Sequence, residues 1–196
     1  MNSIQTYIHI HWIEIVGAIL SLIYIYLSIK QQVSLWFFGI ISSLFYIVVF
    51  YQSKLYADMS LQFYYVVISI YGWIYWKKGN SESEKELPAT KITLKYILIS
   101  IVATGIFYLV YYYALVYFKS NVPKTDALVG ALSVTGTWML ARKFIENWLV
   151  WIVVDALCIG LYIYKGLYPT VILFIIYTLM AWVGYQQWKK TLEKIN

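Results

Sequence analysis

Gly72-Trp73-Ile74-Tyr75-Trp76-Lys77-Lys78 and Gly184-Tyr185-Gln186-Gln187-Trp188-Lys189-Lys190 close two apolar regions in the same way, 112 residues apart. Working back from each, Leu55-Tyr56 returns as Leu167-Tyr168 at the same offset of 112, and Val16-Gly17-Ala18 returns as Val129-Gly130-Ala131 at an offset of 113. One deletion near the first loop reconciles the two offsets. Residues 12–78 and 127–190 therefore read as two copies of a unit that holds three long apolar stretches. Duplicated membrane units are a common way to build a transporter, with the substrate site between the halves.

Composition supports a bilayer protein. Of 196 residues, 62% are hydrophobic and 12% charged, and the mean hydropathy is +0.68. A soluble domain of this length has no interior large enough for that much apolar surface, whereas stretches of about 18 or more apolar residues span membranes. Seven spans are drawn, from Trp12 to Ile29, Leu35 to Tyr51, Met59 to Trp76, Ile92 to Phe118, Ala127 to Leu140, Trp148 to Tyr164, and Pro169 to Trp188. The expectation is one all-α integral membrane domain over residues 1–196, with residues 92–118 linking the two triplets. The fifth span is short, as for a helix deep in a bundle or ending beside a cavity. Lys77 to Lys91 is the one clearly hydrophilic linker, and a solvated one is expected. The single cysteine, Cys158, excludes an intramolecular disulfide and reads as a small packing residue. No basic region precedes the first apolar run, so no cleavable signal peptide is expected.

Basic residues set the orientation. Lys54, Lys119, Lys124 and Lys165 fall in loops on one side. Lys30, Lys77, Lys78, Lys85, Lys91, Lys95, Arg142, Lys143, Lys189, Lys190 and Lys194 fall on the other. The richer side is cytoplasmic by the positive-inside rule, which explains the net charge of +6 better than nucleic-acid binding does. The N-terminus is then outside and the C-terminus inside. Three spans plus one linking span give both units the same orientation, the parallel-repeat arrangement of SWEET transporters.

Several spans carry polar or small residues at steps of three and four, which places them on one helical face. The first has Glu14, Gly17, Ser21, Tyr24 and Ser28. The second has Trp36, Gly39, Ser43 and Tyr46. The third has Gln62, Tyr65, Ser69, Trp73 and Trp76. The fifth has Asp126, Gly130, Ser133 and Thr137. The sixth has Trp148, Trp151 and Asp155. Small residues at such positions also serve close helix packing alone, and that reading stands for Gly17, Gly39 and Gly130. Tyr177 on the seventh span joins the candidate substrate contacts, with Trp36, Ser43 and Tyr65.

Asp155 is the sharpest candidate, because an ionisable group near the middle of a span is costly and defaults to a functional hypothesis. A carboxylate below two indoles, Trp151 and Trp148, suits a flat cationic ring through stacking, cation–π attraction and charge. The competing readings are a salt bridge to Arg142 or Lys143, or a protonated acid. Gln62 offers an amide that donates and accepts hydrogen bonds, for a hydroxyl or carboxamide on a ligand or for a neighbouring helix. Glu14 sits near the outer end of its span, where capping or pairing explains it, and Tyr7, Trp12, Tyr117 and Trp188 read as interfacial aromatics. No phosphate-cradling Gly-rich Lys-Ser/Thr motif is present, so nucleotide-driven pumping is excluded. His9 and His11 have no metal-ligand spacing, and no Ser/His/Asp set exists, so neither a metal, a cofactor nor an enzymatic activity is expected.

Taken together, these runs resemble a family. Trp12-Ile13-Glu14-Ile15-Val16-Gly17, Trp36-Phe37-Phe38-Gly39, Leu55-Tyr56-Ala57-Asp58-Met59-Ser60-Leu61-Gln62 and Tyr71-Gly72-Trp73 stand in the first unit. Arg142-Lys143-Phe144-Ile145-Glu146-Asn147-Trp148-Leu149-Val150-Trp151 and Lys165-Gly166-Leu167-Tyr168 stand in the second. The pattern resembles the PnuC family of bacterial vitamin transporters, over nearly the whole chain apart from linker and tails. The resemblance implies a SWEET-like seven-helix bundle in the inner membrane. It also implies facilitated diffusion of an unphosphorylated vitamin, trapped afterwards by a separate cytosolic kinase. It places Glu146, Asn147, Trp148, Trp151 and Gln62 where family members contact substrate. Asn commonly stands at the position of Asp155 and near Ser42 in the family, and this chain departs there. Nicotinamide riboside and thiamine carry a permanent cationic ring and fit the added carboxylate; neutral riboflavin fits it less well. The competing readings are a SWEET-type sugar transporter and a membrane receptor or scaffold that moves nothing. Oligomeric state stays open.

Overall fold

A computed structural model of the chain describes residues 3–83 and 87–193. The side chains of residues 3–11, 13, 14, 57, 79–83 and 169 are outside that description, so the expectations for Tyr7, His9, His11 and Glu14 lie beyond it, as do those for Glu84, Lys85, Glu86 and Lys194. The described residues form seven helices: α1 (Ser3–Ile29), α2 (Leu35–Gln52), α3 (Tyr56–Ser83), α4 (Leu94–Tyr117), α5 (Pro123–Ala141), α6 (Asn147–Tyr164) and α7 (Tyr168–Glu193).

The helix ends follow from local chemistry. Gln31, Lys54, Lys119 and Lys143 all adopt φ of 58°, and Gly166 takes φ of 70°. Each reverses the chain after a helix, and the next amides fold back onto the last carbonyls, as Gln31 N does to Ser28 O at 3.1 Å and Gln32 N to Leu27 O at 3.0 Å. Pro123 opens α5, where its missing N–H costs nothing.

Six helices close a ring in which α1 packs on α2, α2 on α3, α3 on α5, α5 on α6, α6 on α7, and α7 on α1; α4 lies outside, mainly against α5. If α1, α2 and α3 are matched with α5, α6 and α7, every interface of the ring maps onto another. Burial follows position. Leu115 is the one buried residue of α4, whereas α5 buries 11 of its 19 residues.

That contrast corrects the reading of hydropathy alone. Four helices of the described residues are long and apolar enough to cross a membrane by composition, although seven spans are expected. Helix α5 meets protein rather than lipid, so it can carry Ser133, Thr135 and Thr137 at no cost. The two threonines are satisfied inside the helix, with Thr137 Oγ1 donating to Ser133 O at 2.8 Å and Thr135 Oγ1 to Ala131 O at 3.2 Å.

The end of the bundle that carries Lys30, Lys77, Arg142 and Lys189 is shut by four tryptophans. Trp36 meets Trp76 edge to face at 5.4 Å, Trp148 meets Trp188 at 5.7 Å, and Trp76 and Trp188 join the pairs at 6.3 Å. Trp76 Nε1 donates to Ala141 O at the end of α5, and Trp188 Nε1 donates to Ser28 O near the end of α1, both at 3.0 Å. Each triplet therefore latches onto the first helix of the other. Replacing Trp76 or Trp188 by phenylalanine is expected to destabilise the bundle by about 1–3 kcal/mol, from one lost buried hydrogen bond plus unfilled volume. The check is the midpoint of thermal unfolding in detergent, and unchanged midpoints for both variants would refute the latch.

Lys77, Lys78, Pro88, Thr90 and Lys91 of the linker are exposed, as a solvated linker requires, but the chain there is ordered in two ways. Helix α3 continues to Ser83, and from Leu87 onward the chain lies across this same end. Thr90 forms a parallel bridge with Phe144, with Thr90 N donating to Lys143 O and Ile145 N to Thr90 O, each at 3.0 Å. Ile92 N donates to Glu146 Oε2 at 2.9 Å, and Ala89 is buried. Polar composition predicts the solvent contact of Pro88, Thr90 and Lys91, and backbone pairing to the α5–α6 turn holds the segment against the protein at the same time.

Candidate substrate site

Trp36 and Trp148 occupy equivalent seats, made by glycines. A Cβ built on Gly72 would sit 2.4 Å from Trp36 Cζ2, and one on Gly184 would sit 2.6 Å from Trp148 Cζ2. Only a residue without a side chain lets each indole lie flat against the facing helix. Both rings are buried, yet neither Nε1 has a hydrogen-bond partner among the described residues. Asn147 is fully buried as well; its Nδ2 donates to Phe144 O at 2.6 Å, while its Oδ1 is left without a partner. Buried polar atoms without partners are rare and call for an explanation. Here two donors and one acceptor lie unused in the half of the bundle nearest the tryptophan closure.

Farther along α6, Trp151 is half-buried and packs its indole on Gly136 of α5, whose Cβ position lies 3.4 Å from the ring. Asp155 is the ninth of the 18 residues of α6, about 12 Å along its axis at 1.5 Å per residue. Asp155 is 4% exposed, and it forms no hydrogen bond or ion pair with any described residue. The alternative of a salt bridge is removed by the bases themselves. Arg142 lies over Tyr75 and Tyr96 and donates to the hydroxyls of Tyr71 and Tyr96, both at 3.3 Å. Lys143 is buried over Trp76 at 4.3 Å and donates to Leu87 O and Gln31 Oε1. Tyr177 on α7 and Cys158 on α6 are within electrostatic reach of the Asp155 carboxylate, and Cys158 is buried as expected.

The facing side comes from α2 and α3. Ser43, the residue 112 before Asp155, is buried, and Gly39 stands 112 before Trp151. The space left by Gly39 is taken by Tyr24 of α1, whose ring lies 2.9 Å from a Cβ placed there. Large and small thus trade places between the triplets: a ring on α1 against glycine on α2, and a ring on α6 against glycine on α5. Tyr65 hydrogen-bonds to Ser133, and Tyr64 Oη donates to Val134 O at 2.8 Å, so α3 is pinned to α5. Gln62 is half-buried and has no hydrogen-bond partner among the described residues.

The structure thus brings Trp36 and Trp148 to the tryptophan closure with Asn147 beside it, and sets Trp151 and Asp155 deeper along α6. Trp73 leaves the interior stripe: it is 39% exposed and lies edge to face with Phe37 of α2, itself exposed, at 6.5 Å. Tyr64 lies one residue off the stripe that runs through Tyr65, and nothing local marks it. Ser42, singled out in sequence only by resemblance, bridges α1 and α2 through Ser21 Oγ at 2.9 Å and Gly17 O at 3.2 Å. A shallow groove of about 370 Å³, lined by Val122, Thr125, Ala156, Leu157, Gly160 and Tyr164, lies on the face of α6 opposite Asp155 and is no part of this site.

Comparison with known proteins gives a consistent picture. A family model described as nicotinamide mononucleotide transporter matches residues 11–190. The nicotinamide riboside transporter PnuC of Escherichia coli (strain K12) is 28% identical over 90% of this chain and 84% of its own length. The PnuC of Neisseria mucosa is 26% identical, over 93% and 74%. The riboflavin/roseoflavin transporter RibM of Streptomyces davaonensis is 23% identical, over 92% and 85%. A crystal structure of the vitamin B3 transporter PnuC superposes with a TM-score of 0.76 at 25% identity, covering 97% of this chain and 88% of that one.

Proposed function

Because the chain belongs to the nicotinamide mononucleotide transporter family, a family of membrane transporters rather than enzymes, we propose that its substrate is an unphosphorylated cationic vitamin, nicotinamide riboside first. The single observation that carries the choice is Asp155, a buried carboxylate with no partner among the described residues. A pyridinium ring stacked by Trp151 supplies the missing positive charge. The orphaned indole N–H groups of Trp36 and Trp148, the Asn147 carbonyl and the Gln62 amide suit the ribose hydroxyls and the carboxamide. Ser43, Tyr65 and Tyr177 would complete the walls.

The same carboxylate argues against the phosphorylated mononucleotide. A phosphate adds negative charge beside Asp155, and the bases at the two ends of α6 are engaged: Arg142 and Lys143 by tyrosines, Trp76 and the strap, and Lys165 by Asp126. It argues equally against neutral riboflavin, the substrate in the name of one relative. Thiamine, also a cation, is the second reading.

In this proposal the two triplets, residues 12–78 and 127–190, rock against each other and open the site to either side in turn. The basic end is cytoplasmic, the N-terminus is outside, and the inner membrane is the location. Transport is downhill, with the vitamin retained after phosphorylation by a separate kinase. The test is initial-rate uptake of labelled nicotinamide riboside and labelled thiamine, in cells lacking other routes and in proteoliposomes. Saturable riboside flux that excess unlabelled mononucleotide does not inhibit is expected. Flux of riboflavin, or of a sugar, with none of either cation would overturn the reading.

A further inference from the structure

Resting on the reading of two triplets that rock about a central site in downhill transport, we infer that Gln31 and Lys143 are positioning residues: together they lock the cytoplasmic gate and set which way the empty carrier faces. They stand 112 residues apart, the offset of the repeat, and both take φ of 58° at the turn that follows the first helix of their triplet. One position of the unit is therefore present twice. The fold brings its two copies together across the line between the triplets, where Lys143 Nζ donates to Gln31 Oε1 at 3.4 Å. Each also reaches past its twin. Gln31 Nε2 donates to Thr191 Oγ1 near the end of α7, at 3.4 Å. Lys143 donates to Leu87 O and lies 4.3 Å from the ring centroid of Trp76 on α3. Its own carbonyl accepts from Thr90 N at 3.0 Å, which ties the segment from Leu87 to Thr93 to the same lock.

The contacts of Lys143 with Gln31 and Trp76, and of Gln31 with Thr191, all cross from one triplet to the other. They have to break before this end can open. An ammonium suits a lock that must release in every turnover. Closed, Lys143 is 3% exposed, and its charge strengthens both its hydrogen bonds and its attraction to the indole. Open, water takes over its donors, so release costs only a fraction of the gross strength of those bonds. The lock lies at the closure, away from Asp155, and it acts whether or not the vitamin is bound. It holds the empty carrier open to the outside and slows its return to the cytoplasm-open state, the slower half of the cycle. Downhill transport requires the same Vmax/KM from both faces. The lock therefore redistributes KM and Vmax between the faces, and it limits the rate at which the vitamin can leave relative to the rate at which it enters.

The experiment uses the full-length protein in membrane vesicles from cells that lack the kinase and other riboside routes. Uptake of labelled nicotinamide riboside into initially empty vesicles gives KM and Vmax per carrier, from the outer face in right-side-out vesicles and from the cytoplasmic face in inside-out ones. In Lys143→Met, which keeps an apolar stem over Trp76, KM and Vmax from the cytoplasmic face are expected to rise together, several-fold relative to those from the outer face. Vmax/KM should stay equal between the faces. Gln31→Gly is expected to shift the ratios in the same sense, and glycine suits the left-handed φ there, so the turn survives. A purely structural role would scale Vmax by one factor in both orientations and leave the KM ratio at its parental value. That result in both variants, or a shift in the opposite sense, would overturn the lock. Absence of riboside flux in the parent would count against the substrate reading instead, and unequal Vmax/KM in the parent against downhill transport, so the failures are separable.

Discussion

Replacing Asp155 by alanine is expected to lower riboside uptake at sub-saturating concentration by roughly 10- to 100-fold, the equivalent of the 1.5–3 kcal/mol typical of a charge-assisted contact in a dry site. The loss should appear chiefly as a raised KM, since the carboxylate acts on the bound cation. The fold should survive: this side chain latches nothing among the described residues, and removing an unpaired buried carboxylate relieves a desolvation penalty. Thermal midpoint and KM are therefore expected to move in opposite senses, stability up and affinity down. A variant with parental KM would remove Asp155 from the site, and a variant that fails to fold would assign it a structural role. Uptake of a neutral analogue, the dihydropyridine form of the riboside, should be far less affected, which separates a charge effect from a change of shape.

Gly184→Ala is expected to abolish most transport while leaving the chain in the membrane. The new Cβ would fall 2.6 Å from Trp148 Cζ2 and 2.7 Å from Cε2 and Cη2, all in the indole's six-membered ring. That ring is buried between α7 and Trp188 and cannot turn aside. Overpacking of this kind costs about 1–3 kcal/mol, and Trp148 would be driven toward Asn147 and the site. Phenylalanine at position 148 is shorter, so Gly184→Ala with Trp148→Phe should recover stability relative to Gly184→Ala alone. Such a sign change in a double-mutant cycle marks direct contact. Gly72→Ala against Trp36 should repeat the pattern with a larger penalty, because the approach there is 2.4 Å. Additive penalties in both cycles would mean that the glycines are not seats for the indoles.

Much of this was legible in the chain. The recurrence of Gly72 and Trp76 as Gly184 and Trp188 marked two triplets, and the latches from Trp76 to Ala141 and from Trp188 to Ser28 use those same residues. Asp155 stood out because hydrocarbon makes any charge conspicuous, and it is indeed buried without a partner among the described residues. The opposite seats of Trp36 and Trp148 were half legible: the stripes named the indoles, and nothing nearby named the glycines 36 residues later that receive them. Polar composition shows that the linker from Lys77 to Lys91 meets water; it does not show that Thr90 pairs through the backbone with Lys143 and Ile145, which lays the segment against the bundle.

By itself the sequence determined the solvent, the number and order of the helices, and the residues too costly to be idle. Those properties arise from local composition and from the price of polar groups in lipid, which each stretch pays alone. The tertiary structure decided which glycine receives which indole, which tryptophan latches to which helix end, and which bases are already engaged and so leave Asp155 without a counter-charge. These are contacts between residues tens of positions apart, set by how closely two helices can approach, and no local pattern encodes that distance.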